Sequence, residues 1–175
     1  VCSSDLIGMT IVTDIWPWAQ YVAKKIKEHL NVPIVAGGNH PTLVPEKVLA
    51  DKNIDMVCMG EGEYAFTELV DAISQRKPYD HIPNIWLKKN KKILRNPLRN
   101  LIPNLDALPF PDRSIYEPYL KTSDSYMTMS GRGCLYACSY CFNNPYKRMY
   151  QGKGYYLRRR SPENFVAELA AANKR

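Results

Sequence analysis

Short apolar runs alternate with amphipathic segments through residues 6–76, and this alternation limits the fold of the 175-residue chain more than any other feature. Strands are predicted where the sequence is apolar and β-branched, at 6–13, 32–38 and 54–60. A helix capped by Asp14, with Pro17 in its first turn, is predicted to reach Leu30, and further helices are predicted at 45–50 and 64–75. Strands separated by helices pair in parallel, so the chain is predicted to be α/β with a doubly wound, Rossmann-like sheet.

Residues 77–124 are predicted to form an ordered linker, because prolines interrupt them and the alternation stops. A hairpin is predicted inside this linker at 84–96, with its turn near Asn90. The proline-rich stretch 102–112 is predicted to be extended, with three side chains that favour burial, Leu105, Leu108 and Phe110.

A second module is predicted from residue 125 to 175. It begins with a strand at 125–130, continues through a glycine-flanked cysteine segment, and ends in a helix over 165–172 with Ser161 as N-cap and Pro162 at its first position. One strand, one loop and one helix cannot bury a core alone, so this module is expected to continue. The first six residues, VCSSDL, resemble a translated sequencing adapter, so native sequence is also expected upstream and Cys2 is left out of the cysteine count.

The charge of the chain is divided unevenly between its halves. The formal net charge is +7, with 7 basic and 11 acidic residues in 1–82 and 17 basic and 6 acidic residues in 83–175. A basic second half suits nucleic acid, a small molecule bearing carboxylate or phosphate, or simply solvent. No apolar run approaches the roughly 20 residues of a membrane-spanning helix, and no leader peptide is recognisable. The cytoplasm is therefore the expected location.

Three cysteines lie within eight residues, Cys134, Cys138 and Cys141, in a C-x₃-C-x₂-C pattern. This spacing would also suit an apolar stripe on a helix, but Gly131 and Gly133 precede it and Asn143-Asn144-Pro145 follow, which favours a loop. Three soft thiolates suit zinc or an iron–sulfur cluster. Zinc in a structural site usually takes four protein ligands, and the histidines all lie in the first half, at 29, 40 and 81. Cys58 is expected to be a small buried apolar side chain.

The segment GRGCLYACSYCFN resembles the cluster-binding loop of the radical S-adenosylmethionine (radical SAM) superfamily, a C-x₃-C-x-aromatic-C sequence after the first strand of a partial TIM barrel. The resemblance implies that Cys134, Cys138 and Cys141 hold a 4Fe–4S cluster whose fourth iron binds S-adenosylmethionine. It implies that Tyr140, in the aromatic position, lies near the adenine, with a core aromatic as the alternative role. It also implies an electron donor such as flavodoxin or ferredoxin.

Two glycine-rich turns follow predicted strands in the first half, GGNHPT at 37–42 and GEGE at 60–63. The carboxyl ends of parallel strands are where ligands bind in such sheets, although both segments would also serve as plain tight turns. The order VAGGNHPT, helix, MGEGE resembles the second half of the cobalamin-binding domain that precedes many radical SAM barrels. LDALPFPD resembles the linker of those enzymes, and YYLRRRSPENFVAEL resembles the sequence after their cluster loop.

The resemblance places Gly37, Gly38 and Thr10 near the nucleotide tail of cobalamin. The D-x-H-x-x-G segment of that family, whose histidine ligates cobalt in some members, is not present here. His40 does not occupy that position, so it is expected to be structural.

Together these features predict residues 7–76 as part of a cobalamin-binding domain, 77–124 as the linker and 125–175 as the start of a radical SAM barrel. The function expected is reductive cleavage of S-adenosylmethionine to a 5′-deoxyadenosyl radical, with cobalamin, for methylation, cyclisation or rearrangement of a small molecule. A radical enzyme acting on RNA or a ribosomal protein, and a zinc-binding nucleic-acid module, are the alternatives. The two glycine turns disfavour nucleic acid.

Overall fold

The computed structural model describes residues 6–114 and 126–172. The chain divides into two compact units, one ending at Asn100 and the other beginning at Leu101. Each unit has its own sheet, with five strands in the first and two in the second.

The first unit contains the parallel sheet that the sequence predicts. Its first three strands lie in chain order and run parallel, and they are β1 (Ile7–Thr10), β2 (Ile34–Gly37) and β3 (Met56–Cys58). Each is shorter than its apolar run, because pairing ends where the backbone turns towards the next helix. The mixed α/β architecture with a parallel sheet is confirmed.

Four helices connect these strands and follow β3. A 3-10 turn at Thr13–Ile15 leads into α1 (Trp16–His29), then come α2 (Asn39–Leu43), α3 (Pro45–Ala50) and α4 (Glu63–Ser74). The predicted cap at Asp14 is wrong: the N-cap position belongs to Ile15, with no side-chain cap. Pro17 lies in the first turn of α1, as predicted. The short helix α2 was not predicted, because GGNHPT resembles a turn and has no apolar periodicity.

The core of the first unit lies on both sides of β2 and β3. Ile34, Val35 and Ala36 of β2 are all buried, as are the three residues of β3. One cluster joins strands β2 to β4 with the apolar face of α4, through Val35, Met56, Leu69 and Ile85. A central strand buried on both faces has no polar alternation, which is why its run is continuously apolar.

The hairpin assigned to the linker is instead part of the main sheet. It forms β4 (Ile85–Lys89) and β5 (Lys92–Arg95), and β4 pairs antiparallel with β3. Its turn is at Asn90 and Lys91, both with positive φ, as the predicted two-residue turn requires. The pattern of the hairpin is local and visible in the sequence, whereas its pairing with β3 is a long-range contact that the sequence does not express.

The second unit contains less regular structure. It has a 3-10 turn at Leu105–Ala107, the strands β6 (Gly131–Arg132) and β7 (Arg158–Arg159), and the helices α5 (Asn143–Met149) and α6 (Pro162–Ala172). Strands β6 and β7 pair antiparallel. The Ser161 hydroxyl accepts a hydrogen bond from the Asn164 N–H, which confirms the predicted cap.

The strand predicted at 125–130 is wrong over its described part. Residues 126–130 are irregular, and pairing is confined to Gly131–Arg132. Within the described residues no strand lies beside 126–130, and an isolated segment cannot complete a ladder. Residue 125 lies outside the described residues. Among the linker side chains, Leu105 is buried and Leu108 half-buried, but Phe110 is 39% exposed and lies under the Arg160 guanidinium.

Asn84 joins three segments at the carboxyl end of β3, and we expect its loss to destabilise the first unit. It is 1% exposed with φ of 70°, its amide donates to Glu61 O, and its Oδ1 accepts from Arg99 N–H. Asn84→Ala removes both side-chain bonds at a left-handed residue, so the free energy of unfolding falls by about 2–4 kcal/mol. Denaturant unfolding measures this, with Asn31→Ala at an exposed asparagine as the control. Equal stability of the two variants would contradict the prediction.

Candidate functional site

The cysteine segment is anchored to the second unit by close backbone contacts. Gly131 packs so tightly against β7 that a Cβ there would lie 2.6 Å from Arg158 O. Gly133 has φ of 91°, and a Cβ on it would lie 2.3 Å from Tyr156 O. Only glycine fits at such positions. The backbone N–H of Arg160 also donates to Ser130 O at 2.9 Å. The chain therefore enters the cysteine loop in a fixed position.

The three cysteines lie in a loop between β6 and α5, so the alternative of a helical apolar stripe is wrong. Cys141 N–H donates to Cys138 O at 3.1 Å, which forms a turn, and α5 begins only at Asn143. Asn143, Asn144 and Pro145 were interpreted as loop formers, but they form the first turn of α5. Asparagine and proline are both common in a first helical turn, which explains the difference.

The thiols are accessible and none forms a disulfide. Cys138 is exposed, and Cys134 and Cys141 are half-buried. Within residues 6–114 and 126–172, no three cysteine, histidine or carboxylate side chains converge as one metal ion requires. A cubane cluster needs no such convergence, because each thiolate binds a different iron. The donor set therefore fits an iron–sulfur cluster better than a single zinc ion.

Tyr140 does not belong to the core of the second unit. Its side chain is 91% exposed, and Leu135 and Tyr136 of the same loop are exposed as well. The alternative of a core aromatic is therefore wrong. An aromatic face next to the thiols is free to stack on a planar group.

The structure adds two polar residues to the loop that the sequence did not single out. The Asn143 amide Nδ2 lies 3.6 Å from Cys141 Sγ, and the Tyr156 hydroxyl lies 2.5 Å from Asn143 Oδ1. Burial, together with the nearby Cys134 and Cys141, raises the pKa of Tyr156, so its hydroxyl keeps its proton at neutral pH. The contact between residues 143 and 156 is set by the fold, and no local motif announces it.

An ion pair on α6 holds the segment that leads into the cysteine loop. Glu168 is 2% exposed and accepts hydrogen bonds from Tyr126, Thr128 and Arg160. Arg160 also donates to Asn164 and lies over Phe165. Burial alone would raise the pKa of Glu168, but the hydrogen bonds from its three donors outweigh burial and lower that pKa.

Two arginines of the run 158–160 are committed to contacts inside the second unit. Arg158 is buried and donates to Ile102 O at 2.7 Å, and Arg160 binds Glu168. Arg159 is exposed. The basic run was expected to be a solvated edge or an anion contact, and neither description fits Arg158 or Arg160.

In the first unit the glycine turns meet at the carboxyl end of the parallel strands. Thr10 pairs with Gly37 in register, and a Cβ on Gly38 would lie 3.2 Å from Thr10 Cγ2. The three residues predicted from the cobalamin-domain resemblance are therefore neighbours. The GEGE turn lies beside them, because Gly60 N–H donates to the Thr42 hydroxyl at 3.0 Å.

His40 and Cys58 have buried positions behind these turns. The His40 Nδ1 lies 3.2 Å from Thr13 Oγ1, and its ring packs on Trp16 at 5.1 Å. Burial, with a smaller effect of Lys47, lowers the pKa of His40, so the ring is neutral. Burial, with a smaller effect of Glu63, raises the pKa of Cys58 to about 11. Both residues fill the core, as the sequence analysis expected.

Comparisons with known proteins agree with the two sites. Residues 3–70 match the family model described as B12 binding domain. The chain is 36% identical over 142 residues to an uncharacterised methyltransferase, PH0819, of Pyrococcus horikoshii, covering 78% of this chain and 31% of that protein. It is 31% identical over 133 residues to the cobalamin-dependent radical SAM methyltransferase TokK of Streptomyces tokunonensis, covering 69% and 19%. This chain is a relative of the cobalamin-dependent radical SAM enzymes.

Solved structures of such enzymes share the fold. TsrM from Kitasatospora setae, a radical S-adenosylmethionine methyltransferase solved with tryptophan substrate and the SAM analog aza-SAM, superposes with a TM-score of 0.73 at 20% identity. That match covers 97% of this chain and 34% of TsrM. OxsB, a cobalamin-dependent S-adenosylmethionine radical enzyme solved with aqua-cobalamin and S-adenosylmethionine, gives a TM-score of 0.73 at 21% identity over 95% of this chain.

This relative of the cobalamin-dependent radical SAM enzymes spans only part of the proteins it matches, 31% of PH0819 and 19% of TokK. In the part of the chain that the structure describes, no helix is long and apolar enough to cross a membrane.

The Arg160–Glu168 pair predicts a large difference between two neighbouring arginines. Arg160→Met leaves the Glu168 carboxylate buried without its cation, so the free energy of unfolding falls by about 3–5 kcal/mol. Arg159→Met, at an exposed position, changes it by less than about 0.5 kcal/mol. Denaturant unfolding of both variants tests this, and equal losses would contradict it.

The same pair gives the stability a pH dependence. Because the pKa of folded Glu168 lies below its ordinary 4.5, its contribution is complete above pH 4.5 and is lost as the pH falls through the folded value. Wild-type stability therefore falls more steeply below pH 4.5 than that of Glu168→Gln.

Proposed function

We propose that this chain is part of a radical SAM enzyme that uses cobalamin, with the boundaries 7–76, 77–124 and 125–175 as its cobalamin-binding, linker and barrel segments. The hairpin at the start of the linker segment belongs structurally to the sheet of the first unit. The observation that carries the proposal is the loop of three free cysteines held by glycine-to-backbone contact.

Cys134, Cys138 and Cys141 are the residues proposed to hold a 4Fe–4S cluster. Such a cluster, with one iron free of protein ligands, supplies the electron that cleaves S-adenosylmethionine to methionine and a 5′-deoxyadenosyl radical. The chain contributes the position at which that happens, because Gly131 and Gly133 fix the loop against residues 156–159. Tyr140 is proposed to stack on the adenine, which its exposed ring permits. Cys58 is neutral and buried, so it takes no part.

Thr10, Gly37 and Gly38 are proposed to bind the nucleotide tail of cobalamin. They are neighbours at the carboxyl end of β1 and β2, the edge at which open α/β sheets bind ligands. The two glycines have different parts in this edge. Gly38, with φ of 96°, already touches Ile11, where a Cβ would lie 2.9 Å from the carbonyl oxygen. Gly37 has room for a Cβ, at 3.7 Å from Cys58 O, so a ligand rather than the fold accounts for glycine there.

The reaction supported best is methylation of a small molecule, because PH0819 and TokK are both described as methyltransferases. Cyclisation is the second candidate, since a relative at 28% identity from Rubrivivax gelatinosus is an anaerobic magnesium-protoporphyrin IX monomethyl ester cyclase. The electron donor is proposed to be a flavodoxin or ferredoxin, and the location the cytoplasm. The basic run offers less support for an RNA substrate than its charge suggested, because Arg158 and Arg160 are used internally.

Each cysteine of the loop is predicted to be necessary for cofactor cleavage. The full-length protein, reconstituted anaerobically with iron and sulfide and given a reductant, is expected to convert S-adenosylmethionine to 5′-deoxyadenosine. Cys134→Ala, Cys138→Ala and Cys141→Ala are each expected to reduce this at least about 100-fold, because an iron without thiolate is labile. Cys58→Ala is the matched control and keeps most of the activity. A fully active Cys138→Ala would overturn the proposal.

Gly37 gives the sharper test of cobalamin binding. Gly37→Val is expected to fold, since the space beside Gly37 allows a side chain, but to retain less corrinoid because it blocks the approach of a ligand to the backbone. Corrinoid absorbance after desalting, together with the midpoint of denaturant unfolding, separates the two effects. Gly38→Ala is the contrasting variant and is expected to lose stability itself. Wild-type protein that retains no corrinoid would exclude a cobalamin role for this edge.

A further inference from the structure

The Asn143 amide lies between a cysteine of the loop and a tyrosine sixteen residues from the first cysteine's neighbourhood in space, Tyr156. Its Nδ2 lies 3.6 Å from Cys141 Sγ, and its Oδ1 lies 2.5 Å from the Tyr156 hydroxyl. The same hydroxyl lies 3.2 Å from the backbone oxygen of Asn143. Three groups thus form a chain that ends on a sulfur.

The chemistry of the three groups determines the direction of both hydrogen bonds. An amide oxygen only accepts and an amide nitrogen only donates. The Tyr156 hydroxyl, which keeps its proton, donates to Oδ1, and this fixes the NH₂ group on the side of the sulfur. The amide therefore presents an N–H to Cys141 and cannot turn its oxygen towards the thiolate without losing the tyrosine bond.

Both residues are held by their surroundings and not by each other alone. Asn143 opens α5, and Asn144 N–H donates to Cys141 O at 3.2 Å, which ties the helix to the cysteine. Tyr156 is half-buried, with its ring 6.1 Å from that of Tyr146. Tyr146 in turn packs against Phe142 and Tyr150, each at 4.9 Å. An aromatic group on one face of α5 thus keeps the Tyr156 hydroxyl at the amide.

We propose that Asn143 and Tyr156 form a positioning pair that orients the Cys141 thiolate and raises the reduction potential of the cluster it holds. This rests on the proposed function. A hydrogen bond to a ligating sulfur withdraws electron density from the cluster and favours its reduced form, and such bonds are among the main determinants of cluster potential. Asn143 acts directly on the sulfur, and Tyr156 acts by holding the amide.

The test compares midpoint potentials in the full-length, anaerobically reconstituted protein. Asn143→Leu removes the donor, and Tyr156→Phe removes one oxygen while leaving the ring in place. Both are expected to keep wild-type iron and sulfide content and to shift the midpoint potential to more negative values, with the smaller shift in Tyr156→Phe. The double variant is expected to shift no further than Asn143→Leu, because the hydroxyl acts through the amide. Electron paramagnetic resonance of the reduced cluster monitors the titration.

Two neighbouring residues are matched controls. Asn144→Leu changes the other asparagine of the first turn of α5, whose side chain accepts from Arg148. Tyr155→Phe changes a tyrosine that is 89% exposed. Neither is expected to move the potential.

The outcomes separate this inference from the function on which it rests. Wild-type protein that assembles no iron and sulfide would overturn the proposed function and the pair's role with it. Full cluster content with an unchanged potential in Asn143→Leu and Tyr156→Phe would overturn the pair's role and leave the function intact. If Asn143→Leu loses iron, Tyr156→Phe decides, since it leaves the amide and α5 in place. Loss of iron in Tyr156→Phe as well would mark the pair as purely structural and overturn its effect on potential.

Discussion

The first unit depends on β2, a strand that is paired on both sides and buried on both faces. Its register places Ile34 opposite Ile7 and brings Gly37 to the end of β1. Its burial requires the apolar run 34–36, which leaves the polar chemistry to the turns that follow the strands. Because β1, β2 and β3 all run in one direction, those turns lie at one edge. The position of the candidate ligand-binding residues is thus a consequence of strand direction and burial.

Both candidate sites use the same backbone device. Gly38 and Gly133 have φ values of 96° and 91°, and each brings the main chain against the carbonyl group of another segment, Ile11 O for Gly38 and Tyr156 O for Gly133. A side chain at either position would separate the two segments. In each unit a glycine therefore sets where the chain leaves a strand, and the neighbouring groups, Thr10 in one case and three thiols in the other, are placed by that exit.

The sequence predicted the elements whose causes are local. The apolar runs gave the three parallel strands, the Asn90 turn gave the hairpin, and Ser161 with Pro162 gave the start of α6. It failed where the cause is distant or absent from the local pattern. The pairing of β4 with β3 depends on residues 27 or more positions apart in register, such as Cys58 and Ile85. Residues 126–130 have strand composition, but within the described residues they have no strand to pair with.

The candidate sites divide in the same way. The three cysteines form a sequence motif, so spacing alone identified them, and Thr10, Gly37 and Gly38 came from a resemblance that the fold supports by making them neighbours. Asn143, Tyr156 and the Arg160–Glu168 pair were not identified, because each acquires its meaning from a partner that the fold brings to it. A glutamate in a helix is ordinarily a solvated residue, and only the three donors around Glu168 show otherwise.

The two edges of the five-stranded sheet differ in what they offer to another strand. β5 carries Lys92 and Arg95, next to Lys91 in the turn, and such charges discourage pairing along an edge. β1 consists of Ile7, Gly8, Met9 and Thr10, with no charge, and within the described residues its outer side has no strand partner. Strand addition is therefore directed to β1. For the chain handled by itself, this makes β1 the place where aggregation would begin, and the lysine-rich hairpin the side that stays in solution.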